Sequence, residues 1–146
     1  MRAYVCIVLL VACGAPDQAD ELVQQPDFDE FSLLVQPILE RQCGNPACHG
    51  ALERPFSVYS ERNWREDSDN LYLPVPLTEN ELLHNYTAAC VMLSDARSPQ
   101  EVLLLRKPLG DAADTYHGGG EIFVGKSDRS YRVLLDWIAG GWNEQQ

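Results

Sequence analysis

Three residues concentrate the reactive chemistry of this chain: Cys43, Cys48 and His49, in the run Cys43-Gly44-Asn45-Pro46-Ala47-Cys48-His49-Gly50. Two thiols on one short loop, with a histidine directly after the second, is the arrangement that attaches haem c. The sulfurs add across its two vinyl groups and the imidazole binds the iron. The usual spacing puts two residues between the cysteines; here there are four. Gly44 and Pro46 let the wider loop bulge while both thiols face one ring. The same residues allow two other chemistries. In an exported chain a disulfide could join Cys43 to Cys48, or either of them to Cys90. Zinc could take Cys43, Cys48, His49 and a later ligand, although Cys-x4-Cys is wider than common zinc knuckles and no second Cys-x2-Cys pair exists.

An iron held by His49 has one axial position left, where methionine raises the potential and histidine lowers it. Three side chains are available: His84, His117 and Met92. His84 lies at the exposed edge of a predicted helix and reads as a surface residue. Met92 ends that helix and reads first as core. His117 precedes Gly118-Gly119-Gly120, where bare backbone can approach a flat cofactor. His117 is the first candidate for the sixth ligand and Met92 the second. Cys90 is left without a partner if Cys43 and Cys48 hold haem, and reads as a buried thiol.

The elements around these residues are mostly helical. Phe31, Leu34, Val35, Ile38 and Leu39 recur at helical spacing, predicting a helix from Asp29 or Glu30 into Cys43, with Pro37 kinking or splitting it. Phe56, Val58 and Tyr59 suit a short strand, and Arg62 to Asn70 a polar loop around Trp64. Thr78-x-x-Glu81 is a capping box opening a helix that buries Leu82, Leu83, Tyr86, Ala89, Cys90 and Leu93. Ser98-Pro99-Gln100-Glu101 reads as a second box, opening a short helix over Val102 to Arg106. Residues 107–126, with five glycines, read as a long loop. Tyr131, Leu134, Leu135 and Ile138 mark a last helix from Ser127 or Asp128, ended by Gly140-Gly141. Trp64, Trp137 and Trp142 are candidates to pad a cofactor crevice.

On these residues the chain resembles a known group. Val35-Gln36-Pro37-Ile38-Leu39, then Cys43, then Cys48-His49-Gly50, is similar to the opening of the cytochrome c-like domains common in planctomycetes and myxobacteria. The run from Leu103 to Leu109, then His117-Gly118-Gly119-Gly120, then Tyr131 to Ile138, resembles their closing half. The resemblance covers about residues 28–142. It implies a mainly α, cytochrome c-like single domain with long irregular loops, over residues 30–142. An N-terminal helix would lead into the attachment site and a C-terminal helix would pack across it. It also implies a histidine before paired glycines as iron ligand, which His117 matches.

The first residues differ in kind. Arg2 precedes an apolar run from Ala3 to Ala12, shorter than the roughly 20 residues a membrane-spanning helix needs and typical of a signal peptide. Leu10-Val11-Ala12-Cys13 resembles the lipobox of bacterial lipoproteins. That likeness implies cleavage after residue 12, a lipid anchor at Cys13 and, with Gly14 following, the outer rather than the inner membrane. Residues 13–29 then read as a lipidated start and flexible tether.

The chain carries 22 acidic and 11 basic side chains, a net charge of −11. That balance repels nucleic acid and steers basic protein partners instead. There is no His-Glu-x-x-His, no Gly-x-Ser-x-Gly and no phosphate-binding glycine motif, so no enzyme active site is indicated. The expectation is an envelope electron-transfer protein binding one covalent haem c, working with other envelope redox proteins. The alternative is a haem-free, disulfide-stabilised binding or assembly lipoprotein.

Overall fold

The computed structural model describes residues 25–143. The predicted signal segment, the lipid anchor at Cys13 and the tether as far as residue 24 lie outside the described residues. Within them the architecture is mainly helical, with four helices, no β-ladder and long connecting loops.

The first helix, α1, starts as α-helix at Phe28–Glu30, passes through a π-helical turn at Phe31–Val35 and continues as α-helix over Gln36–Gln42. It starts ahead of Asp29 because Asp27 caps it, its carboxylate accepting from the Glu30 N–H at 2.6 Å. Pro37 explains the wide turn. In a regular helix its ring would collide with the carbonyl four residues back; here the Gln36 N–H reaches the Phe31 carbonyl, five residues back. The extra residue rotates the following positions. Phe31, Val35, Ile38 and Leu39 are buried, whereas Leu34, expected on the same stripe, is exposed and Gln36 turns inward in its place. The Gln36 amide oxygen accepts from Asn85, which is fully buried.

Helix α2, Glu79–Val91, opens on the predicted capping box, with both reciprocal bonds between Thr78 and Glu81 in place. Its buried face departs from the apolar pattern. Glu81, Asn85, Ala89 and Cys90 point inward, Leu83 is exposed, and Leu93 is buried just past the helix. Asn85 explains why Phe56 to Tyr59 forms no strand. It accepts from the Tyr59 N–H and donates to the Tyr59 carbonyl, so a side chain supplies the bonds that a neighbouring strand would have made.

Ser98 makes no capping bond. Pro99–Glu101 is a 3-10 turn, and helix α3 runs over Leu103–Leu109, past the predicted end at Arg106. The Pro108 carbonyl accepts from both Ile122 and Phe123, tying the glycine-rich loop back onto this helix. Helix α4, Arg129–Asn143, begins where Asp128 accepts from the Ser130 N–H at 2.7 Å. It continues through Gly140-Gly141 rather than stopping there. A Cβ on Gly141 would meet the Pro26 Cα at 2.7 Å, so this glycine serves close approach, not termination.

That approach locks α1 to α4. Trp137 is fully buried and donates to the Asp27 carbonyl at 2.9 Å, and its ring packs on Phe31 with centroids 5.4 Å apart. At the other end Gln42 donates to Ser130 at 3.1 Å. The start of α1 therefore lies on the end of α4 and the reverse, so the helices run antiparallel. The buried Pro26 accepts at its carbonyl from Tyr86, so within the segment expected as tether, residues 26–29 pack against the helices.

Candidate functional site

The loop after α1 converts the wide cysteine spacing into a tight turn. Asn45 organises it: its carbonyl accepts from the Cys48 and Gly50 N–H groups, and its side chain accepts from the Ala47 N–H at 2.8 Å. The chain doubles back far enough for the His49 N–H to reach the Cys43 carbonyl at 3.1 Å. Gly50 is required at the corner, because a Cβ there would collide with the Gly44 carbonyl oxygen. The four intervening residues are thus folded away, and both thiols face the same space.

That space is a cavity of about 490 Å³. Its walls are mainly apolar: Leu39 from α1, Phe56, Leu104 from α3, Ile122 and Phe123 from the loop before α4, and Leu134 from α4. Into it come Cys43, Cys48, His49, Met92 and His117, so all five residues singled out from the sequence line one cavity. Trp64, Trp137 and Trp142 do not line it. Trp64 stacks on Tyr59 instead, with centroids 3.9 Å apart. His84 is no plain surface residue: it is half-buried and bonded to Ser57 at 3.0 Å. A second cleft of about 640 Å³ lies at Asp95–Arg97, Glu101, Arg106 and Lys126. It contains no cysteine and no histidine.

The two cavity histidines are matched. The imidazole rings of His49 and His117 stand 6.0 Å apart, centroid to centroid, and within 9° of parallel. Each has its Nδ1 at 2.8 Å from a backbone carbonyl, Phe56 for His49 and Gly120 for His117. A carbonyl only accepts, so each Nδ1 carries a proton, and it is Nε2 that bears the lone pair of the neutral ring. Burial pushes the His49 pKa down, and the neighbouring His117, Arg54 and Lys107 push the same way against the Phe56 carbonyl. A neutral imidazole with a fixed tautomer is the form that binds metal. Gly119 lets the loop fold onto His117, since a Cβ there would sit 3.2 Å from the ring.

The described cysteines, Cys43, Cys48 and Cys90, are free thiols. Burial, then the adjacent Cys48, pushes the Cys43 thiol up to about 12. Cys90 lies outside the cavity, and burial takes it to about 11 against a contact with the Tyr86 hydroxyl. Among the described residues no three His, Cys, Asp or Glu side chains cluster as a metal would need. The cavity brings together two near-parallel imidazoles, two thiols and apolar walls.

Sequence reasoning did not find the backbone carbonyls of Phe56 and Gly120 or the turn-forming role of Asn45. Carbonyl partners leave no mark in residue type. An Asn one residue before Pro is an ordinary turn signal that could have been read. No protein-family model matches the chain, and neither does any curated protein or solved structure.

Proposed function

We propose that this chain is a cytochrome c-like electron-transfer protein that binds one haem covalently. The carrying observation is the near-parallel pair His49 and His117, each pinned through Nδ1, in one apolar cavity with both loop thiols. Cys43 and Cys48 would each add sulfur to one carbon of a vinyl group and hydrogen to the other, a step with no net redox change. His49 and His117 would hold the iron, a pair that favours a lower potential than histidine with methionine. Bound haem supplies the one-electron iron couple. The protein supplies ligation, exclusion of water by Leu39, Leu104, Phe123 and Leu134, and a docking surface. On the same reading Cys13 carries the lipid anchor, the protein sits at the cell envelope, at the outer rather than the inner membrane, and its partners are other envelope redox proteins.

The test is expression of the full chain alongside a haem c maturation system, followed by mass measurement and a pyridine haemochrome spectrum after denaturation. The expected result is the added mass of one haem and a covalent haem c band. A folded product with no covalent haem would overturn the reading. A non-reduced mass showing a Cys43–Cys48 disulfide would then favour the haem-free binding or assembly lipoprotein.

A further inference from the structure

The charge around the cavity runs against that of the whole chain. Acidic side chains outnumber basic ones by 22 to 11, yet none lines the cavity, while Arg54 and Lys107 both do. The one ion pair among the described residues is Arg65 with Glu81, so neither of these cations pairs with a carboxylate among them. Arg54 spends one N–H on the Ala47 carbonyl at 3.2 Å, which leaves most of its five donors unused. Both side chains are exposed at the cavity rim. The second cleft shows the contrast. There Asp95 and Glu101 stand among Arg97, Arg106 and Lys126 and offset two of the three positive charges.

A cavity with an apolar interior, two uncompensated cations at its mouth and no anion suits a flat apolar ligand with negative charge along one edge. Haem is such a molecule, since its two propionate carboxylates lie on one side of the ring. We propose that Arg54 and Lys107 are positioning residues that hold these carboxylates and so set which way the ring enters the cavity. This rests on the haem reading above and adds the orientation of the ring. Arg54 can offer a carboxylate two parallel N–H bonds, and Lys107 a compact point charge.

The test titrates the purified, thiol-reduced chain with haem and with haem dimethyl ester, following the Soret band. Esterification removes both negative charges and leaves iron and ring intact. Haem is expected to bind at least tenfold more tightly than the ester. Arg54→Gln and Lys107→Gln should each shrink that gap at least threefold, and Arg54→Lys should retain most of it. Lys126→Gln, in the other cleft, should leave it unchanged. The far-ultraviolet circular dichroism of each variant should match the parent, since both rim side chains are exposed. Equal affinity for haem and ester, or a gap that survives both rim substitutions, overturns the proposal and leaves the haem reading standing. A chain that binds neither compound overturns both.

Discussion

His49 and His117 reach the same cavity from unrelated stretches of chain, yet the same device holds each: a carbonyl on Nδ1 at 2.8 Å. That device needs no conserved side chain at the second position, only a loop that returns on itself. Phe56 does this for His49 by lying seven residues on, and Gly120 does it for His117 after three. Met92 shares the cavity without any such fixation. On the proposed haem reading, an expected outcome for the loaded protein follows. His117→Ala should replace the low-spin spectrum with a high-spin one, while Met92→Leu should leave the low-spin spectrum in place. Absorption and electron paramagnetic resonance spectra of the two variants decide it, and a low-spin signal that survives loss of His117 but not of Met92 would reverse the assignment. At this scale the sequence was informative because cysteine, histidine and methionine are scarce enough here to be followed one by one. Arg54 and Lys107 were not legible, because an exposed cation looks alike in every sequence until its neighbours are known.

Element boundaries were legible where a side chain caps and misleading where a residue type has two uses. Thr78 and Glu81 announce α2 because the box satisfies two backbone donors at once. Ser98 and Glu101 have the same spacing, but the Glu101 carboxylate accepts from the Arg97 N–H and the Ser98 side chain caps nothing. The glycine pair in α4 is the clearest case. Gly140 has open space where a Cβ would be, and Gly141 has the Pro26 backbone at 2.7 Å. Two adjacent glycines in one helix should therefore respond with opposite sign to the same substitution. Gly140→Ala is expected to stabilise by about 0.5–1 kcal/mol, through lower unfolded-chain entropy and better helix propensity. Gly141→Ala is expected to destabilise by about 1–3 kcal/mol, as overpacking against a fixed backbone does. Urea midpoints of the two variants check both. A matching gain in both would mean that α4 does not clasp the start of α1.

For the molecule as a whole, helical periodicity was enough to foresee a mainly helical domain, but not what joins its long loops to the helices. That joint is Arg65 with Glu81, buried at 0% and 1% side-chain exposure. Arg65 sits in what reads as a polar loop, and nothing in its sequence neighbourhood marks it as interior. Its guanidinium bonds both Glu81 oxygens and also the Val75 and Pro76 carbonyls. One side chain thus pins the segment before α2 at two places. Burial would raise the Glu81 pKa, but Arg65 and the Thr78 and Glu66 N–H groups overcome it and hold the carboxyl at about 2, against an ordinary 4.5. A depressed carboxyl stabilises the fold fully above its unfolded pKa, and the contribution is lost as the pH falls toward the folded value. The stability of the whole domain should therefore decline between about pH 4.5 and pH 2. Arg65→Met is expected to cost about 3–5 kcal/mol at pH 7, because it leaves a buried carboxylate unpaired. In that variant burial acts on Glu81 with less opposition, so its folded pKa rises toward the unfolded value and the loss of stability on acidification should shrink. Denaturant unfolding of parent and variant from pH 7 to pH 3 measures both effects. Parallel pH profiles would show that other carboxylates govern acid unfolding and that the joint is a local contact rather than the tie between loop and helix.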